Sequence, residues 1–183
     1  MSQENILVIK LGALGDFVYA IGPMQAIKKH HKTANITLLT RLSFADLGYK
    51  TKIFDDILID PEPNFWKLKS LYDFRKKINA FQFDRIYDLQ TSDRTGFYYK
   101  LLGPFKRPEW SGIAPGCSHY HHYKRPTLKH TQDRHREQLA LTGINEVLHP
   151  DLSFMEGETK SVSYTHLRAH ETDSYLVCRL LLE

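Results

Sequence analysis

Short apolar runs alternate with helix-length stretches along most of this chain, and few folds accept that alternation. Residues 5–11 (NILVIKL) are β-rich, bounded by polar residues and by Gly12, and read as a buried strand. Further strands are expected at 36–40, 53–59, 83–89 and 107–113, the third ended by Asp60-Pro61-Glu62-Pro63. Helices are expected at 17–30, 43–49, 65–80, 93–102 and 133–141, with Ser43 capping the second and Gly143 closing the last. Gly22-Pro23 interrupts the first, and a proline inside a helix loses an i→i−4 bond, so a kink or a late start is expected there. In the third, Phe65, Leu68, Leu71, Tyr72, Ile78 and Phe81 recur at helical spacing and form the expected core stripe. Residues 116–132 read as a long loop rich in His and Tyr. Strands separated by helices pair in parallel through crossovers, so the expected fold class is α/β: a Rossmann-like parallel sheet with flanking helices.

Composition narrows the class further. The chain has 183 residues, 42% of them apolar and 25% charged, which excludes disordered, collagenous and low-complexity proteins. It has no apolar run of the roughly 18 residues that a membrane-spanning helix needs. Met1–Asn5 is polar and lacks the basic start of a secretory signal, and two cysteines, Cys117 and Cys178, make no disulfide framework. A reducing cytoplasm is the expected compartment. The net charge of +4 suits an anionic partner, whether phosphate, nucleic acid or a lipid surface, and equally suits an ordinary basic face.

The turn Gly12-Ala13-Leu14-Gly15-Asp16 follows the first strand, and ligands of open α/β sheets bind outside the carboxyl ends of strands. Gly12 and Gly15 let a substrate or another backbone approach closely. Asp16 falls at the start of a helix, where free N–H groups and the macrodipole favour a carboxylate. Two roles are open to it: an N-cap worth about 1 kcal/mol, or a general base that takes a proton from an attacking hydroxyl. The spacing is not that of a dinucleotide fingerprint, because G-x-G-x-x-G is absent, and Gly48-Tyr49-Lys50-Thr51 is no Walker loop. Past the fourth strand, Asp88, Gln90, Ser92, Asp93 and Arg94 make a polar cluster. Gln90, Ser92 and Arg94 are candidate substrate ligands there, and capping of the next helix by Ser92 or Asp93 accounts for the same pattern. The loop Cys117-Ser118-His119-Tyr120-His121-His122-Tyr123-Lys124-Arg125 runs on to Lys129, His130, Arg134, His135 and Arg136. His121, Lys124 and Arg125 are its candidate ligands for phosphates or acidic sugars. A solvated loop is the bland alternative, and its Cys/His spacing matches no standard zinc site, so no metal is expected. Trp66 and Trp110 fit the core or a sugar-stacking platform.

Lys10-Leu11-Gly12-Ala13-Leu14-Gly15-Asp16, continuing to Gly22-Pro23, resembles the opening of the glycosyltransferase family nine heptosyltransferases. Asp88-Leu89-Gln90-Thr91-Ser92-Asp93-Arg94-Thr95, Trp110-Ser111-Gly112 and the run from Asp133 to Leu141 and Gly143 are similar to its later landmarks, so the resemblance covers residues 4 to 155. It implies one half of a GT-B architecture, in which two Rossmann-like domains face a cleft. It implies that residues 1–160 are the acceptor-side domain and that Asp16 is the general base of an inverting transfer. Heptose would pass from ADP-heptose to a lipopolysaccharide precursor, lipid A with its inner core, at the cytoplasmic face of the inner membrane. The donor's domain is not in this chain, so the fragment alone is expected to be inactive; no cofactor and no metal are implied. The alternatives are a nucleotide-binding domain of another Rossmann-like enzyme and a basic nucleic-acid-binding module. The chain lacks the recognition motifs of the latter, and nucleic acid is not an expected partner.

Residues 161–183 differ in kind. Tyr164-Thr165-His166-Leu167-Arg168-Ala169-His170-Glu171-Thr172, followed by Leu176 to Glu183, resembles a translated sequencing-library adapter, so this tail is expected to be non-native. Leaving it out removes Arg168 and Arg179 against Glu171, Asp173 and Glu183, and the basic excess survives.

Overall fold

The structure, a computed structural model, describes residues 3–62, 68–103, 107–122 and 130–155. The chain divides after Asp151; past that point a 3-10 turn, Ser153–Met155, is described, and the tail at 161–183 lies outside the described residues. The unit up to Asp151 runs β1 (Asn5–Ile9), α1 (Leu14–His30), β2 (Asn35–Thr40), α2 (Leu42–Lys50), β3 (Asp56–Ile59), α3 (Leu68–Ala80), β4 (Arg85–Asp88), α4 (Asp93–Leu101), β5 (Glu109–Gly112), β6 (His119–Tyr120) and α5 (Thr131–Ala140). All pairings are parallel and the strand order is β3-β2-β1-β4-β5-β6. This is the strand order of the Rossmann fold, and the expected fold class is the observed one.

The core follows from strands buried on both faces. Leu7, Ile9, Leu39, Ile86 and Trp110 pack with Phe74 and Ile78 of α3 and Tyr98 and Tyr99 of α4. Their alternates Ile6, Val8, Ile36 and Leu38 face the other side and are equally buried. On that side α2 closes in through Gly48, where a Cβ would stand 2.8 Å from Leu38. Each fully buried Leu or Ile contributes about 1.5–3 kcal/mol.

Four local expectations are corrected. α1 begins at Leu14 and continues unbroken through Pro23 to His30. The proline costs about 3 kcal/mol, an amount that burial of two large apolar side chains offsets, and Phe17, Ile21, Met24 and Ile27 are all buried. The N-cap of α2 is Arg41 rather than Ser43, and no side chain caps it. The expected loop at 116–132 contains β6, which pairs Ser111 with His119 and Gly112 with Tyr120, and α5 starts at Thr131. In the expected core stripe of α3, Leu71 and Ile78 are buried but Leu68 and Tyr72 face solvent. Phe65 and Trp66 lie outside the described residues.

Candidate functional site

In this strand order the direction of winding reverses between β1 and β4, and in sheets wound this way ligands bind in the crevice outside the carboxyl ends at that point. The chain leaves β1 through Lys10, whose N–H continues the ladder to the Leu39 carbonyl at 3.0 Å. The next N–H, of Leu11, donates to Gln90 Oε1 at 2.9 Å, which ties the turn after β1 to the turn after β4. Gly12 then takes φ +124°, a conformation that L side chains rarely adopt, and a Cβ there would stand 2.6 Å from Phe44 Cε2. Phe44 stacks on Phe17 with ring centroids 5.5 Å apart, so the turn is packed from below by aromatic rings.

Asp16 is the third helical residue of α1, not its cap; the N-cap is Ala13, which has no side-chain bond to give. The carboxylate is exposed and makes no hydrogen bond or salt bridge among the described residues. A carboxylate at the switch point that neither caps nor pairs is accessible to a ligand. Gly15 lies beside it in the first turn and is half-buried.

Beneath this rim lies a layer of buried polar groups. Lys10 is 3% exposed, and its ammonium donates to the Leu89 carbonyl at 3.2 Å. Burial lowers its pKa, opposed by the carboxylates of Asp16 and Asp88, while Arg134 adds to the lowering. His135 of α5 donates through Nε2 to the same Leu89 carbonyl at 3.2 Å, and burial, helped by the Lys10 charge, brings its pKa down to about 4. Gln138, one turn on, donates to the carbonyls of Asp88 and Ser111 at 3.0 and 3.1 Å. Asp88 is wholly buried, and its Oδ1 accepts the N–H groups of Gln90 and Thr91 at 3.1 and 2.9 Å. Burial pushes it up to about 6, against the Thr95 hydroxyl, those two N–H groups and Lys10. Ser92 and Thr95 form a reciprocal capping box at the start of α4. Arg134 donates to Thr91 Oγ1 at 2.9 Å, and His130, which caps α5, meets Tyr19 of α1 edge-on at 5.1 Å. The start of α5 thus touches both the turn that leads into α4 and the side of α1.

The structure brings Gly12, Gly15, Asp16, Gln90 and Ser92 to this crevice. Gln90 and Ser92 both bond to neighbouring protein groups. Arg94 points elsewhere: its guanidinium spans the buried Asp60 carboxylate at 3.1 Å and the Tyr98 hydroxyl at 2.6 Å. His121 is buried at the end of β6 and bonds to Glu137 at 3.3 Å. Lys124 and Arg125 lie outside the described residues. Trp110 is core, 5.3 Å from Tyr99. Sequence reasoning gave no separate role to Lys10 and Gln138, and set His135 in the basic run after the loop rather than under β4. The one available signal was Lys10, a lone cation inside an apolar strand run.

The fold is a Rossmann-like α/β unit with its switch point between β1 and β4. Solved structures with this fold include three glycosyltransferases. The chain is similar to a glycosyl transferase of family 9 from Veillonella parvula, with a TM-score of 0.65, 19% identity, and coverage of 80% of this chain and 43% of that one. It is similar to E. coli heptosyltransferase WaaC, solved with ADP-2-deoxy-2-fluoro heptose, with a TM-score of 0.65, 11% identity and coverage of 87% and 55%. It is also similar to E. coli ADP-heptose LPS heptosyltransferase II, with a TM-score of 0.57, 16% identity and coverage of 97% and 50%. At these identities the likeness is one of fold, and the chain spans about half the length of each. No protein-family profile and no curated protein matches the chain.

Proposed function

We propose that this chain is the acceptor-side, N-terminal half of an inverting glycosyltransferase of GT-B architecture, with Asp16 as its general base. The observation that carries the reading is the exposed, unpaired Asp16 carboxylate at the switch point, in a fold shared with heptosyltransferases. The sugar is heptose from ADP-heptose, and the acceptor is a lipopolysaccharide precursor met at the cytoplasmic face of the inner membrane. Asp16 takes the proton of the acceptor hydroxyl while that oxygen forms its bond to the anomeric carbon. The bond from that carbon to the β-phosphate of ADP breaks, and ADP leaves with the electron pair. Gly12 and Gly15 let the acceptor approach the backbone, and Lys124 and Arg125 meet its anionic groups. Gln90 and Ser92, whose side chains already bond to protein groups, shape the crevice wall. In a GT-B enzyme the donor is held by the second Rossmann-like domain, so turnover needs both domains.

The test joins residues 1–160 to the half encoded downstream in the source genome and measures ADP release. Asp16→Ala is expected to lower kcat by about 10²–10⁴-fold with the circular dichroism unchanged. Turnover near the wild-type value refutes the base assignment.

A further inference from the structure

Lys10 is the one lysine or arginine that is buried among the described residues. Burying an ammonium is costly unless an opposite charge or several hydrogen bonds offset it. Its hydrogen bond to the Leu89 carbonyl does not account for a charge at this place, because His135 Nε2 donates to the same oxygen at the same 3.2 Å. A methionine or a neutral donor would fill the position with less desolvation. The charged and titratable groups that act on the ammonium or are acted on by it are Asp16 of α1, Asp88 at the end of β4, and Arg134 and His135 of α5. Arg134 repels it. His135 is brought down to about 4 by burial and is neutral at pH 7. Asp88 is pushed up to about 6 and already accepts the N–H groups of Gln90 and Thr91. Asp16 is the stronger of the two carboxylates that favour the charged ammonium, and it has no hydrogen bond or salt bridge among the described residues. The attraction is mutual: what the carboxylate does for the ammonium, the ammonium does for the carboxylate.

We infer that Lys10 is the counter-charge of Asp16, a positioning residue that keeps this carboxylate ionised at the switch point as the acceptor hydroxyl arrives. The inference rests on the reading of Asp16 as general base and adds the residue that sets the pH range in which the base is available. The ammonium stabilises the ionised carboxylate, so it extends activity to lower pH and makes Asp16 a weaker proton acceptor in return. A lysine that only filled space or bonded a strand end would leave the pH profile where it is.

Two measurements test it. In the 183-residue chain the Lys10 side chain is titrated by NMR. Asp16→Asn is expected to move that titration to lower pH by about one pH unit. Asp46→Asn, which removes an exposed carboxylate of α2, is expected to leave it in place. In the two-domain enzyme rejoined as above, kcat/KM for ADP release is followed against pH, because this ratio reports the groups of the free enzyme. Lys10→Met and Lys10→Gln are expected to move the acid limb to higher pH by about the same one unit, since the coupling is reciprocal. Their plateau at high pH is expected to stay within about ten-fold of wild type. Lys10→Arg keeps the charge and is expected to keep the limb, and Asp88→Asn, which removes the other carboxylate, is expected not to raise it. Thermal melting identifies a variant that fails to fold, and the NMR measurement leaves Lys10 and the buried layer unsubstituted. The inference is overturned if Asp16→Asn does not move the Lys10 titration. It is overturned with the base reading intact if Asp16→Ala abolishes turnover while the Lys10 variants keep the wild-type limb. Turnover of Asp16→Ala near the wild-type value, or a rejoined enzyme that releases no ADP, refutes the base reading and the inference together.

Discussion

Asp88 and His135 lie at the end of β4 with folded pKa values displaced in opposite senses, and their effects on stability should cancel. Burial raises Asp88 from 3.8 to about 6, so between these pH values the folded chain holds a proton that the unfolded chain has lost. Stability from this group is present below pH 4 and is lost as pH rises to 6, by about 3 kcal/mol in all. Burial lowers His135 from 6.5 to about 4, so in that window the unfolded chain holds the extra proton. Stability from this group is present above 6.5 and is lost as pH falls to 4, again by about 3 kcal/mol. Over the shared window, pH 4 to 6, the two slopes of about 1.4 kcal/mol per pH unit oppose each other. Asp88→Asn keeps an oxygen for the Gln90 and Thr91 N–H groups but cannot titrate. Relative to wild type, its stability from urea melts should rise with pH by about 1.4 kcal/mol per unit across this window. His135→Gln, which keeps a donor for the Leu89 carbonyl, should deviate by the same amount in the opposite direction. Taking differences from wild type removes the contribution of every other titrating group that the substitution leaves alone. Stability curves for Asp88→Asn and wild type that run parallel from pH 4 to 6 would refute the assignment of the buried proton to Asp88.

Arg94→Met should destabilise the fold by about 3–5 kcal/mol in urea, because it leaves the wholly buried Asp60 carboxylate without its cation; Arg94→Lys should lose less, and a loss below about 1 kcal/mol would mean that Tyr98 and the Glu62 N–H satisfy Asp60 without the cation. Gly12→Ala should cost about 2–4 kcal/mol, part from its φ of +124° and part from the Phe44 ring 2.6 Å away. In a Phe44→Ala background only the backbone part should remain, and an equal cost in both backgrounds would show that the ring moves aside freely. Ending the chain after Lys160 should leave the melting temperature unchanged, and a drop of several degrees would mark residues 161–183 as packed and native.

The parallel sheet was legible because its central strands are buried on both faces and so carry unbroken apolar runs that polar or glycine-rich turns delimit. β6 was not, since two residues, His119 and Tyr120, have no period to read; they become a strand because β5 offers an open edge beside them. Leu68 and Tyr72 fit the helical stripe of α3 as well as Leu71 and Ile78 do, and spacing alone does not mark which neighbours on a stripe are covered. α1 starts three residues earlier than its glycines suggest. That shift moves Asp16 from the cap into the first turn, the difference between a carboxylate bound to its own helix and one left exposed.

The polar layer beneath the crevice was hidden for a different reason. A buried polar side chain is decided by its partner, and the partners here are main-chain carbonyls far away in sequence. His135 bonds 46 residues upstream and Gln138 50. Read along the chain, both belong to a basic, polar stretch with the bland explanation of a solvated helix. In the fold they face β4, and with Lys10 they satisfy carbonyls at the strand ends, where the ladder runs out of donors. The residues that sequence marks as chemical are spent on other protein groups: Gln90 accepts the Leu11 N–H, Ser92 caps α4, and Arg94 pairs with Asp60. Building the crevice therefore consumes most of the polar groups around it and leaves Asp16 with a free carboxylate.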